Sequence, residues 1–513
     1  MRRRLGQAAT IALPALFIGY LFVYPLGRVL SISLTGEGFA EVVSSPRFWN
    51  AAWFTLWQAT ISTLLTLAVA FPLTWCLSRF SFPGKTAIRA LATVPFALPT
   101  VVVGASFLAL TGRGVGSILA AHIFYNMAVV VRTVGSVWSR VDPRLTEAAA
   151  VLGAHPWRRF RYVTLPLIRP ALLSAAAIVF LFCFTSFGTV LILGGGRLRT
   201  LEVEIYQQAV NFLDLPAAGA LAVIQLLVVG ATLMVSTRLQ RRAAAFSVTA
   251  ESDLPRPRQP WLIAGIVGLS LAALGLPLLV LVARSLSAGA AGWLSLVDPG
   301  RAAAVRPLPA IVNSLWFALV SSLIAVVVGG LAAAALARRG RVSDWFDSLI
   351  MLPLGTSAVT IGFGFLVALD RPIDLRATLL LVPLAHALVA IPFVVRVTLP
   401  LLRSIRQDLR EAAAVLGASP ARVWREIDLP IVARALTVGA GFAAIISLGE
   451  FGATSFIARP ATATIPTLIF RLLGRPGSAS FATAMALAVV LAGLTALIIF
   501  TIDHLRAGEV GTF

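Results

Sequence analysis

Few residues in this chain combine a reactive side chain with a spacing that could do chemistry. Phe82-Pro-Gly-Lys-Thr86 ends as a phosphate-binding loop does, with lysine and a hydroxyl after glycine. The full pattern needs a further glycine five residues before Gly84, so that backbone N–H groups can wrap the phosphates. That position holds Arg79, and an apolar run rather than a strand precedes it. The segment therefore reads as a basic loop with a turn. The four histidines (His122, His155, His386, His504) show no ligand spacing, and neither H-E-x-x-H nor G-x-S-x-G occurs. His122 and His386 fall at equivalent places in two similar apolar stretches, which suits inter-helix hydrogen bonds better than a metal. Cys76 and Cys183 are the two cysteines, far apart and each in an apolar run, so no disulfide framework or cysteine metal site is expected. We expect no catalytic residue and no bound metal.

One acidic residue lies well inside an apolar run, Glu450 in Ser447-Leu-Gly-Glu-Phe-Gly452. An ionisable group at membrane depth is costly and faces either a cavity or a polar partner. Two readings stay open: a carboxylate on the path of a cation, or a structural partner of Arg459 or of a helix end. An ion-coupled secondary transporter would want a relay of such groups, and a single one speaks against it.

The apolar runs around these residues set the class. Of the 513 residues, 58% are hydrophobic and 12% charged, about half the charged share of a soluble chain. A bilayer core needs roughly 20 apolar residues per helix. Twelve stretches approach this length: about 9–31, 51–78, 87–110, 117–137, 171–193, 217–237, 261–284, 310–337, 346–369, 375–398, 435–458 and 482–502. The fold class is all-α, a polytopic membrane protein. A net charge of +21 would suggest nucleic acid in a soluble protein. With Arg2, Arg3 and Arg4 placed inside, however, the cytoplasmic segments hold 27 Lys or Arg against 12 outside, the bias that resists translocation of basic loops. Both termini are then cytoplasmic, and the partner is lipid, with no nucleic acid. The first apolar run, about 22 residues without an A-x-A site, is longer than a signal-peptide core and reads as an uncleaved span.

An internal repeat organises these stretches. A shift of 264, the distance from His122 to His386, holds without a gap for about 70 residues and superposes Arg132 on Arg396 and Phe187-Gly188 on Phe451-Gly452. Upstream, a shift of 258 pairs Pro95 with Pro353, Gly104 with Gly362 and Phe107 with Phe365. Two halves result, residues 1–240 and 260–513, joined by a polar linker at 241–259. Parallel repeats of this kind usually enclose a pathway at their interface.

The strongest local feature is a loop present in both halves, Glu147-AAAVLGAHPWRRFRYVTL-Pro166 and Glu411-AAAVLGASPARVWREIDL-Pro430. Glutamate and the alanines favour a helix, which Gly153 or Gly417 can end in a left-handed cap. Pro156 and Pro420 can then open a second short helix, over 157–163 or 421–427, before the next span. The spacing Glu-Ala-Ala-x3-Gly-x9-Ile-x-Leu-Pro resembles the EAA loop of type I ABC importer permeases. The second copy matches at every named position, whereas the first has Val163 in place of Ile.

That resemblance covers nearly the whole chain and implies a fused double permease. It implies that Glu147, Ala148, Ala149, Gly153, Leu165 and Pro166, with Glu411, Ala412, Ala413, Gly417, Leu429 and Pro430, form coupling helices. These would dock two copies of a cytoplasmic ATP-binding subunit. ATP and Mg would sit on that subunit, with no cofactor on this chain, and a separate solute-binding protein would approach from outside. The location implied is a bacterial inner membrane. Cys183-Phe-Thr-Ser-Phe-Gly-Thr-Val-Leu-Ile-Leu-Gly-Gly-Gly196 and Leu201-Glu-Val-Glu-Ile-Tyr-Gln207, with Ser447–Gly452, resemble the thiamine and ferric-iron branch, the thiamine permeases most closely. Ser186, Phe187, Glu450 and Phe451 become candidate pathway residues, with Glu450 matched to Ser186 across the repeat.

Overall fold

The computed structural model describes residues 2–34, 37–244, 254–287, 289–297, 306–337 and 340–507. The middle of the expected linker, 245–253, lies outside the described residues. The first half comprises α1 (Thr10–Ser33), α2 (Pro46–Arg79), α3 (Lys85–Ala97), α4 (Thr100–Thr111), α5 (Val115–Trp138), α6 (Pro143–Val151), α7 (Pro156–Phe184), α8 (Gly188–Leu193), α9 (Leu201–Tyr206) and α10 (Leu215–Val235). The second half repeats them in order: α11 (Pro260–Leu286), α12 (Pro307–Leu336), α13 (Ser343–Gly355), α14 (Ala358–Ala368), α15 (Leu381–Ser404), α16 (Gln407–Val415), α17 (Ala421–Gly449), α18 (Thr454–Ile457), α19 (Ile465–Leu473) and α20 (Ser478–His504). Among the described residues there is no strand.

Ten of these helices are long and apolar enough to cross a membrane, and two further stretches are bent pairs. The pairs α3–α4 and α13–α14 each turn through 97°. Pro99 and Ser357, equivalent by the 258 shift, stand at the two bends, where extended backbone separates the helices. Each pair nevertheless carries the chain across. Helices α2 and α5 run parallel: Ser62 Oγ meets His122 Nδ1 at 3.0 Å, and nearer their C-terminal ends Ser78 Oγ donates to the Gly135 carbonyl at 3.5 Å. In the second half Arg403 donates to the Leu336 carbonyl at 3.0 Å, bringing the ends of α12 and α15 together. A chain that leaves one helix and enters a parallel neighbour has to traverse the full thickness in between. Twelve crossings follow, in two sets of six.

Two expected spans are corrected. The stretch 171–193 is not one helix, because α7 starts at Pro156 and ends at Phe184, with α8 separate behind it. Likewise 435–458 divides into α17, ending at Gly449, and the short α18. The segments beyond each break are buried against protein and are as apolar as a lipid-facing helix, so hydropathy runs straight through. Gly104 and Gly362, paired by the repeat, explain how they fit. A Cβ on Gly104 would lie 2.9 Å from Ile192 Cδ1, and one on Gly362 2.6 Å from Ala453 Cα. At Gly362 the obstacle is backbone, so only glycine lets α14 approach so closely, whereas at Gly104 the Ile192 side chain would have to shift.

The two halves are interlocked. Helix α1 packs on α10 of its own half and also on α12, α13 and α14 of the other. Helix α11 does the converse, lying between α20 and the group α2, α3 and α4. The sequence division at the linker therefore marks a repeat boundary and not two bodies separable in space.

Candidate functional site

The duplicated loop folds the same way twice. In the first copy Leu152 N–H donates to Ala148, Gly153 N–H to Ala150 and Ala154 N–H to Ala149, at 3.0–3.1 Å. In the second, Leu416, Gly417 and Ala418 donate to Ala412, Ala414 and Ala413 over the same range. Both are Schellman caps, and both need the left-handed glycine: φ is +80° at Gly153 and +82° at Gly417. After the cap the chain does not make a separate short helix, as the prolines had suggested. It runs through a π turn (Phe160–Thr164, Trp424–Asp428) straight into the spans α7 and α17. The wider turn lets Leu165-Pro166 and Leu429-Pro430 join the helix, because Pro supplies no N–H and needs room behind it.

Glu147, Ala148, Glu411 and Ala412 are exposed, while Ala149, Ala413 and Leu165 are half-buried. Gln407 donates to Glu411 at 2.9 Å, and Arg410 anchors the second loop to Asp428 at 2.8 Å. The first loop has Thr146 and Thr164 at those two places. Beside each left-handed glycine stands an apolar pair that touches little: Val151 and Leu152 are 89% and 87% exposed, Val415 and Leu416 both 88%. Four large apolar side chains on two polar loops form two identical sticky corners. They were within the loops read from sequence, but nothing in their type singled them out.

On the far side of the bundle the ends of α7 and α17 meet. Phe187 and Phe451 are buried and stacked, with ring centroids 5.5 Å apart and planes 25° apart. Tyr206 lies 5.5 Å from Phe187, and Phe470 lies 5.5 Å from Phe451. Beneath the stack, Ser186 Oγ meets His122 Nε2 at 2.8 Å, and His122 reaches on to Ser62. Its counterpart Glu450 is turned into its own loop. The carboxylate accepts from the N–H groups of Ala453 and Thr454 at 3.0 Å each and from the Thr454 hydroxyl. His386 Nε2 stands 3.5 Å from it, and the His386 ring also meets Ser447 and Thr454. The partner of Glu450 is thus a helix start and His386, not Arg459. The histidines bridge polar groups on neighbouring segments, as their repetition suggested. Gly84, at φ +76°, caps α3, and Lys85 donates to the Phe80 carbonyl at 3.0 Å, so Pro83-Gly84 forms a turn and Lys85-Thr86 open the helix behind it.

The profile of the family described as "Binding-protein-dependent transport system inner membrane component" matches residues 70–245 and 325–506, once in each half. The chain belongs to this family. It is 30% identical to the thiamine transport system permease protein ThiP of Brucella abortus, over 100% of this chain and 98% of that protein. Its identity to the Escherichia coli ThiP is 27%, over 90% of each. The Escherichia coli sulfate transport system permease protein CysT is 30% identical, over 42% of this chain and 86% of its own length. Most of that shorter permease thus matches about two fifths of the present chain.

Within this permease one buried acid was not picked out as a site. Glu202 is fully buried at the start of α9 and accepts a 2.8 Å hydrogen bond from Ser357 Oγ. Ser357 caps α14 at the bend of the other half, and Gln225 donates to the second oxygen of Glu202. The contact joins residues 155 positions apart. Under the repeat Glu202 corresponds to Pro466, so the link exists on one side of the permease alone. Its neighbour Glu204 pairs with Arg199 at 3.4 Å and accepts from Gln208 at 2.9 Å.

Proposed function

We propose that this chain is the membrane-spanning subunit of an ATP-binding-cassette importer that carries thiamine or its phosphates into the cytoplasm. The carrying observation is the duplicated loop, each copy offering an exposed Val-Leu corner beside a left-handed glycine. Two copies of an ATP-binding subunit would dock there, on residues 147–166 and 411–430, and would hold the ATP and Mg. Both termini would be cytoplasmic, as the excess of Lys and Arg on the loop side favours. A solute-binding protein would deliver cargo to the opposite face, in keeping with the description of the family.

Ser186, Phe187, Glu450 and Phe451 would line the closed outer end of the pathway. The Phe187–Phe451 stack offers ring faces that attract a cationic aromatic solute such as a thiazolium. Full-length similarity to thiamine permeases supports the cargo. The test is uptake of labelled thiamine into vesicles holding this chain with its ATPase and binding protein. ATP-dependent accumulation is expected. A complex that hydrolyses ATP and imports ferric iron or sulfate but no thiamine would overturn the cargo.

A further inference from the structure

Arg132 and Arg396 are equivalent under the 264 shift, and Arg89 and Asp347 under the 258 shift. In the second half Arg396 pairs with Asp347, Nη2 to Oδ2 at 3.5 Å. In the first half the carboxylate is replaced by a second arginine. A cleft of about 220 Å³ opens there, with Arg89, Arg132 and Arg140 at its rim and Ser78, Ser136 and Ser139 beside them. Among the described residues lining it, none is acidic. A cleft of this volume is large enough to take a phosphate group.

The place suits an anion. The cleft lies between α2, α3 and α5, near the ends of α2 and α5 and on the side of the duplicated loops. Arg132 is six residues before the end of α5, about 9 Å at 1.5 Å per residue, which is headgroup depth. Arg89 gives one N–H to the Leu77 carbonyl at 3.3 Å and has further donors to spend. Arginine pairs with phosphate through two parallel hydrogen bonds, and basic pockets between membrane helices on this kind of face take lipid headgroups. We propose that this cleft binds a phosphate group, from an anionic lipid headgroup or free in solution, standing where the Asp347 carboxylate stands in the other half.

The test compares melting of the purified full chain in nanodiscs of phosphatidylcholine with and without phosphatidylglycerol, and in detergent with inorganic phosphate against chloride. The wild type should gain a few degrees from at least one of the two anions. Arg89→Asp, which restores the internal pair of the second half, should lose at least about half of that gain while melting no lower than wild type in neutral lipid. Arg132→Gln should lose the gain as well, and Arg396→Gln should keep it. A gain from phosphatidylglycerol alone makes the source a headgroup, and a gain from phosphate in detergent makes it the free anion. Equal responses of wild type, Arg89→Asp and Arg132→Gln to both anions would overturn the proposal.

Discussion

Phe187 and Phe451 hold the same place in the two repeats and stack on each other at 5.5 Å. Residues related by a two-fold axis can touch their own images only beside that axis, so the stack marks the centre of the interface between the halves. It closes the centre with two rings that carry no charge and need no hydrogen bond. An aromatic pair contributes about 0.5–1.5 kcal/mol beyond its area, little enough for a transport cycle to break.

Phe187→Ala with Phe451→Ala should therefore leave the fold intact and the pathway leaky. Vesicles preloaded with thiamine and given no ATP should lose it several-fold faster with the double variant than with wild type. Each single change should give less, since one ring still fills part of the gap. Unchanged efflux together with normal ATP-driven uptake would remove the stack from the pathway.

The glycines of the loops allow a cleaner test of backbone geometry. A Cβ on Gly153 or Gly417 would meet nothing within 4 Å, so any cost of substitution lies in the left-handed φ alone. That cost is about 1–2 kcal/mol for an ordinary residue and less for Asn. Gly153→Val with Gly417→Val should lower transport and ATPase copurification, whereas Gly→Asn at both sites should retain most of each. Equal losses for Val and Asn would mean that the caps are not what matters.

Leu152→Ser with Leu416→Ser examines the same loops through their surface. Both side chains are almost wholly exposed, and such changes usually stay within about 0.5 kcal/mol. The melting temperature of the isolated chain should not move, and recovery of the ATP-binding subunit on affinity purification should fall several-fold. Full recovery would show that the sticky corners face nothing.

Much of this arrangement was legible in the sequence, and the reasons differ by element. Spanning helices declare themselves by hydropathy because lipid imposes one rule along their whole length. The loops declared themselves by occurring twice, and Gly153 and Gly417 by the one conformation their cap requires. What stayed hidden depended on partners distant in the chain. Nothing local says that the run after Phe184 folds back, since Ile192 is as apolar beside Gly104 as it would be in lipid. The packing of α1 on the opposite half leaves no periodic trace. Glu202 read as part of a signature, because Ser357 is far along the chain. The replacement of Asp347 by Arg89 carries meaning only once α3 and α5 are seen side by side.

Glu202 gives the fourth expectation. Its carboxylate joins α9 of one half to the bend between α13 and α14 of the other through Ser357. Glu202→Ala leaves Ser357 and Gln225 without a buried partner, at about 1–3 kcal/mol. Glu202→Gln keeps an oxygen for Ser357 and should cost less. Thermal melting of the purified chain should rank wild type, Gln and Ala in that order, with Ser357→Ala close to Gln. Identical melts for Gln and Ala would leave the contact without a role in holding the halves.

The last expectation separates the two roles open to Glu450. In this conformation both carboxylate oxygens are engaged, Oε1 by the Ala453 N–H and Oε2 by the Thr454 N–H and hydroxyl, with His386 at 3.5 Å. Glu450→Gln keeps the shape but turns one acceptor into a donor, which then opposes a backbone N–H. A buried hydrogen bond lost from a charged acceptor costs about 1–3 kcal/mol, and the start of α18 would loosen beside Phe451. Melting temperature and uptake should fall together in Glu450→Gln. Glu450→Asp, one methylene short of Ala453 and Thr454, should behave no better. If the carboxylate instead serves the passing cation, charge is the property that counts. Asp would then keep more uptake than Gln at equal stability, and Ser186→Asp would partly rescue Glu450→Gln. Melts and vesicle uptake measured on the same four preparations decide between them: stability and transport falling in step assign Glu450 to the loop, and transport falling alone assigns it to the path.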